Sequence, residues 1–358
     1  MNIKKRLIGL VAAAALAVSL CTPAYATSFI DDEYIQYKTA VGVMSGVGVI
    51  GGYSNNSFRP VDNVTREEAV KMITYALLGP KVASKLSYTA SSFSDVAPER
   101  WSVSMIEWCA DNKIVSGRGD GSFDPTGKVT TYEMAKMLLC AAGYGKNGEY
   151  TGSSWDLTVV KDAFAKGIFK SNTYSISGYT TREQAALYIY NAIMNVELVE
   201  YKNGAYLPAD GTPAADNTIA LVNFGLSEKS VISGVITGNS ANGISGTKLG
   251  ETAVNTETGE DLLGHRVSVY TNGKSGAEQA VYYIEDSSET VVLKEPVSNL
   301  ADFSASFGKV SFVSGSAAVF DKSFAYLGSR IEGFNSAMGE APAGTYVIYD
   351  GIIISYIA

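Results

Sequence analysis

Thr65-Arg66-Glu67-Glu68-Ala69 decides how this chain is read, because two later stretches repeat its pattern: Thr130-Thr131-Tyr132-Glu133-Met134 and Thr181-Arg182-Glu183-Gln184-Ala185. A Thr with Glu or Gln three residues on is a capping box, in which each side chain satisfies a backbone N–H of the first helical turn. Thr65/Glu68, Thr130/Glu133 and Thr181/Gln184 thus mark three helix starts. Apolar residues follow each at helical spacing: Ala69, Met72, Ile73 and Ala76; Met134, Met137, Leu138 and Ala141; Ala185, Tyr188, Ile189 and Ala192.

Upstream of each start lies a turn, and before the turn another helix-spaced apolar set. These sets are Ala40, Val41, Met44 and Val47; Val103, Ile106, Cys109 and Ala110; Val159, Val160, Ala163 and Phe164. The second turn, Gly117-Arg118-Gly119-Asp120-Gly121-Ser122-Phe123-Asp124-Pro125, combines glycines for positive φ, an Asp-Gly turn, an apolar anchor and a helix-blocking Pro. The first, Gly52 to Pro60, matches it at a constant offset of 65 residues, with Asn55-Asn56 in place of Asp-Gly. Arg118-Gly119-Asp120 spells an adhesion tripeptide, but the matching turn lacks it, so turn chemistry explains it. Each unit reads as helix, turn, helix. A single short pair is marginal alone, so the three units should bury their cores together and place function in the grooves between them.

Capping accounts for the Thr and the Glu but not for Arg66 and Arg182, since a cation in the first turn opposes the helix dipole by a few tenths of a kcal/mol. Two readings stand: an arginine placed to grip an anion, or a solvated arginine. The formal charge of −8 argues against nucleic acid, and any anionic ligand then needs locally placed Arg or Lys.

Lys4-Lys5-Arg6, the apolar run Leu7 to Leu20 and Ala24-Tyr25-Ala26 predict a signal peptide over 1–26, too short to cross a bilayer, which takes about 20 apolar residues. Cys21 follows the bulky Leu20, which favours cleavage after Ala26 over lipidation. No later apolar stretch is long enough to span, so no membrane contact is expected after cleavage. Cys109 and Cys140 read as two buried thiols or as an interhelix disulfide. Metal-ligand spacing is lacking and no cofactor is expected. His265 stands alone in a Gly-His-Arg context, without a Gly-x-Ser-x-Gly elbow to suggest a triad.

Beyond Glu200 the texture changes. The stretch 201–217, with Pro208, Gly211 and Pro213, reads as a linker, and 218–358 as a small all-β domain, a sandwich or partly open barrel. Its β-rich runs are 231–236, 267–270, 281–284, 291–293, 310–313, 317–320 and 346–349, with hairpin signals at Asn272-Gly273 and Asp350-Gly351. The apolar last strand should pair inside a sheet or against another copy. Acidic residues here are scattered, and no catalytic residues are singled out.

Phe93-Ser94-Asp95-Val96, Trp101, the Gly-Asp-Gly-Ser-Phe-Asp-Pro turn and Val64-Thr65-Arg66-Glu67-Glu68-Ala69 resemble S-layer homology (SLH) repeats over about residues 28–197. The resemblance implies an α + β multidomain protein: an all-α pseudo-threefold bundle of three repeats (27–82, 83–145, 146–200) ahead of the β domain. It implies grooves that bind an anionic, often pyruvylated, secondary cell-wall polysaccharide. The protein would then be exported to the cell wall of a Gram-positive bacterium and held there without a covalent bond. Carried onto this chain, the polysaccharide-binding set is Arg66, Arg182, Thr65, Thr181, Trp101, Trp155, Gly52, Gly117 and Asp120. Thr131 replaces the arginine of unit two, which points to a weak groove there, and Gln36 stands where Trp101 and Trp155 occur in the other units. Those Trp residues are sugar platforms or core aromatics. The leading expectation is a non-enzymatic surface protein whose β domain is structural, lattice-forming or adhesive, with self-association through that domain. The alternative is a wall-anchored carbohydrate-active enzyme or glycan-binding module.

Overall fold

The computed structural model describes residues 29–211, 217–226, 231–250, 252–254 and 258–271, and the backbone of further strands up to Ile357; the leader over 1–26 lies outside them. The chain divides into two compact units, one ending at Ser230 and one starting at Val231.

The first unit holds α1 (Lys38–Gly46), α2 (Arg66–Leu78), α3 (Pro80–Ala83), α4 (Val103–Asp111), α5 (Thr131–Ala141), α6 (Trp155–Ala165), α7 (Arg182–Asn195) and α8 (Ile219–Phe224). The three capped helices α2, α5 and α7 touch one another, and each carries the first helix of another segment: α4 lies on α2, α6 on α5 and α1 on α7. The two helices of one segment are therefore not the packed pair. The core follows the apolar spacing, with Met44, Phe58, Ile73, Ile106, Phe123, Met134, Leu139, Ile168 and Ile189 fully buried. On α6 the buried face is Val159 and Ala163, whereas Phe164 lies outside, edge-on to Phe169 at 5.2 Å.

A ring of backbone hydrogen bonds joins the strand-like residues ahead of the caps. The Val64 amide donates to Thr180 O (2.9 Å), Thr180 to Val129 O (2.9 Å) and Val129 back to Val64 O (3.0 Å). All three residues are buried, where an unpaired amide would cost as much as a lost hydrogen bond.

The stretch expected to be a linker is largely structured. β1 (Val199–Lys202) and β2 (Ala205–Pro208) form an antiparallel hairpin with Tyr201 opposite Tyr206. The Tyr206 hydroxyl donates to Glu149 and accepts from the Lys146 amide at 2.9 Å, docking the hairpin on the loop after α5. Gly143 sits at φ 101° with room for no side chain, since a Cβ would come within 2.0 Å of Val199 O. The Asn223 amide of α8 donates to Ala76 O and Leu77 O (2.9 and 2.8 Å), capping the end of α2. The helical unit thus reaches past residue 218, because its exposed carbonyls and apolar surface are completed by this later chain.

The second unit contains two sheets. One runs β5-β4-β3-β6-β7 and is antiparallel: β3 (Val231–Gly238), β4 (Thr247–Leu249), β5 (Thr252–Val254), β6 (Arg266–Thr271) and β7 (Ala280–Glu285). The other runs β8-β12-β13-β11-β10-β9, from β8 (Val292–Pro296), β9 (Leu300–Ser304), β10 (Lys309–Phe312), β11 (Ala317–Phe320), β12 (Thr345–Tyr349) and β13 (Ile352–Ile357). Its β11/β13 pair is parallel and the rest are antiparallel. Tyr349 pairs with Ile352, the Asp350-Gly351 signal between them falls outside the described residues, and the apolar last strand lies inside its sheet. The Asn272-Gly273 signal falls outside the described residues.

Candidate functional site

The capped helix starts are where an anion would find unpaired backbone N–H groups. Thr65 accepts from the Glu68 amide while Glu68 Oε2 accepts from the Thr65 amide at 2.8 Å, and the same box closes at Thr130/Glu133 and Thr181/Gln184. The next two amides are also committed. Arg66 N–H donates to Gly127 O (2.9 Å), Glu67 to Pro125 O (3.0 Å), Arg182 to Asp62 O (2.9 Å) and Glu183 to Pro60 O (3.1 Å). All four free donors of α2 and of α7 are therefore occupied. No backbone N–H is left for an anion at these helix ends, and the Thr65 and Thr181 hydroxyls serve the caps, so an anion there would meet only side chains.

Neither arginine is solvated. Arg66 is 4% exposed; Nε donates to Phe123 O (2.9 Å), Nη2 to Ser116 O (3.0 Å) and Nη1 to Glu133 Oε1 (3.4 Å). Burial, and next the neighbouring Arg118 charge, hold its pKa below the usual arginine value. Arg182 repeats the arrangement, with Nε to Phe58 O (2.8 Å) and Nη2 to Gly51 O (2.9 Å). Each arginine crosses into the turn of another segment: Arg66 into the second and Arg182 into the first. Thr131, whose amide bonds Gly178 O, lies against the third. The groove that lacks a helix-start arginine is thus beside the third turn, not the second as the sequence suggests, because the ring hands each helix start to a neighbour. That third site is also filled. The Thr173 amide donates to the Tyr37 hydroxyl at 2.8 Å, Gln36 and Thr173 meet at 3.3 Å, and Leu187 stands where α2 has Lys71.

Beside the first turn opens a cleft of about 270 Å³, with Gly51 and Gly52 in its lining together with Tyr53, Lys71, Trp101 and Arg182. Trp101 is 53% exposed, which removes the core reading for it, and the Lys71 ammonium lies 5.8 Å from its ring centre. Tyr53 is flanked by Arg59 at 4.1 Å and Arg182 at 4.7 Å. Gly52 is needed for close approach, since a Cβ would sit 2.6 Å from the Phe29 ring. The same constellation recurs at the 65-residue offset. Arg66 reaches Ser116, Lys136 lies 4.7 Å over half-buried Trp155, and Gly117 has Ser122 O and Phe93 where a Cβ would go. In this second groove Arg118 bridges Glu133 (2.7 Å) and Asp124 (2.9 Å).

Asp120 does not join either groove; it accepts from the Ser122 amide and hydroxyl at 2.9 and 2.6 Å, an ordinary turn contact. The sequence reading missed Lys71 and Lys136, although the recurrence of Lys six residues after the capping Thr carried the signal. It also missed Glu67, a buried carboxylate that accepts two hydrogen bonds from Arg100 (both 2.8 Å) and one from Ser102 (2.6 Å), fixing the start of α4. Glu183 does the same for α1 by accepting from the Gln36 amide at 2.8 Å. Cys109 and Cys140 are free thiols, so the disulfide alternative falls. Among the described residues no group of His, Cys, Asp and Glu is placed to hold a metal, and no helix is long and apolar enough to cross a membrane.

A family model, that of the S-layer homology domain, matches residues 34–70 and 92–135. The chain is 28% identical over 146 residues to the surface layer protein of Brevibacillus choshinensis, covering 40% of this chain and 13% of that protein. It is 25% identical over 201 residues to the middle cell wall protein of Brevibacillus brevis, covering 55% and 18%. An endoglucanase of a Bacillus species is 32% identical over 171 residues, covering 43% and 17%. The chain therefore spans less than a fifth of the length of these relatives. It carries S-layer homology sequence, and its relatives include surface-layer and cell-wall proteins.

Proposed function

We propose that this chain is a non-enzymatic surface protein whose helical unit, a pseudo-threefold bundle of three SLH repeats, holds it at a cell wall by binding a secondary wall polysaccharide. The observation that carries the reading is the twice-built groove: an indole with a lysine ammonium over it, a glycine floor and a buried arginine. Indole faces stack on sugar rings, and the cations suit an anionic polymer such as one bearing pyruvyl ketals. The bundle reading draws on the closed hydrogen-bond ring, which treats the three segments alike. In the β unit the two sheets meet through β13 and β3, which suits a sandwich with a structural, lattice-forming or self-associating role.

A second reading, a wall-anchored carbohydrate-active protein, is favoured by one observation, the similarity to an endoglucanase. Co-sedimentation of the full chain with purified Gram-positive walls tests the first. Binding should disappear once acid has stripped the non-peptidoglycan polymer; retention on stripped walls would transfer the assignment to peptidoglycan.

A further inference from the structure

The two grooves share one backbone design, and among their differences one pair of side chains in contact changes charge at both positions. Arg59 and Asp124, at the same place in the two turns, both hold left-handed backbone with φ of 57° and 61°. The amides of Phe58 and Arg59 donate to the Asp31 carboxylate (2.8 and 2.7 Å), and those of Phe123 and Asp124 donate to Asp95 (both 2.7 Å). On this common frame, Tyr53 and Arg59 form a cation–π stack in the first groove. Arg118 and Asp124, at the corresponding positions, form a salt bridge in the second.

The difference changes what a ligand meets. In the first groove, among the described residues, neither Arg59 nor Arg182 forms an ion pair, and their guanidinium planes lie against Tyr53. In the second, Asp124 and Glu133 already occupy Arg118, and Glu133 also lies 3.4 Å from Arg66. The chain's own carboxylates stand where a ligand's carboxylate would go.

We infer that the Arg118–Asp124 pair is the specificity determinant of the second groove, an internal competitor that makes the first groove the preferred seat for an anionic sugar. This rests on the reading of the grooves as glycan sites. Surface ion pairs are individually weak, so the two contacts together set a discrimination of about tenfold.

The indole N–H resonances of Trp101 and Trp155, assigned with Trp→Phe variants, report the grooves separately in the full chain. The probe is polysaccharide fragments released by mild acid from Brevibacillus brevis walls, native or with carboxylates reduced to alcohols. Native fragments should shift Trp101 at about tenfold lower concentration than Trp155, and reduced fragments should close the gap. R118Y/D124R should bring Trp155 to within about threefold of Trp101, and Y53R/R59D should weaken Trp101 about tenfold. Asp124→Ala, which adds no side chain, should narrow the gap by itself and guards against a double variant that misfolds. Equal titration of both indoles in the wild type, or a gap that survives D124A and R118Y/D124R, overturns the inference alone. If native fragments shift neither indole, the glycan reading fails and takes the inference with it.

Discussion

Arg182 Nε donates to the carbonyl of Phe58 at 2.8 Å, joining the start of α7 to a turn more than a hundred residues earlier. A residue that faces a groove thereby also ties two segments together, and its removal must register in both properties.

Arg182→Ala and Arg66→Ala should each lower unfolding free energy by about 3 kcal/mol, because hydrogen bonds from a charged, buried group are lost and two carbonyls are left unpaired. Lys71→Ala, on an exposed side chain, should leave stability within about 0.5 kcal/mol while weakening wall binding. Urea unfolding of all three, beside sedimentation with walls, separates the roles. An Arg182→Ala protein as stable as wild type would show the contacts to be idle.

Thr131→Arg should not create a third site. The position is buried, Tyr37 fills the neighbouring turn, and Leu187 and Gln36 replace the lysine and indole. Overpacking should cost about 1–3 kcal/mol, with wall-binding stoichiometry unchanged by calorimetry. A gain in stoichiometry would mean that a buried arginine suffices to build a groove.

Acid sensitivity should trace partly to Asp31 and Asp95. Burial is the largest single effect and opposes their charge, but the amides of Phe58 and Arg59, and of Phe123 and Asp124, together outweigh it and hold both carboxyls below the ordinary aspartate value of 3.8. A folded pKa below the unfolded one gives stability that is present above the unfolded value and lost as pH falls through the folded one. Asp31→Asn and Asp95→Asn should therefore be less stable than wild type at pH 7 and approach it below about pH 3.8. Melting curves across pH 2–7 check this; a constant difference between variant and wild type would refute it.

The thiols should be silent in the folded protein. Burial pushes Cys109 up to about 12 and Cys140 to about 11, and only the thiolate reacts. An aromatic disulfide reagent at pH 8 should label neither until denaturant is added, and then both. Prompt labelling of Cys109 would show that its packing against Thr74 opens readily.

What the sequence revealed was local. Thr65, Glu68 and their repeats announce caps because a capping box is satisfied within four residues, and most β strands stand out as short β-rich runs between turn residues. What it concealed was partnership. Nothing within the stretch around Arg66 says that its guanidinium enters the turn of the second segment, since that depends on the order in which the ring closes. For the same reason nothing around Thr131 says that it lies against the third turn. The 199–208 hairpin looked like linker because its tyrosines are stabilised by a loop more than fifty residues earlier, and α8 is too short to show a period.

The ring through Val64, Thr180 and Val129 is a closed cycle of three joints. A linear stack of helix pairs can gain or lose a member and needs distinct end pieces to shield its terminal faces. A closed cycle has no end pieces: each segment is flanked on both sides, and inserting or deleting one would open two joints at once. Divergence is thereby channelled into the side chains that rim each turn, so a segment can fill its own turn, as the third does with Tyr37 and Gln36, while remaining indispensable to the fold.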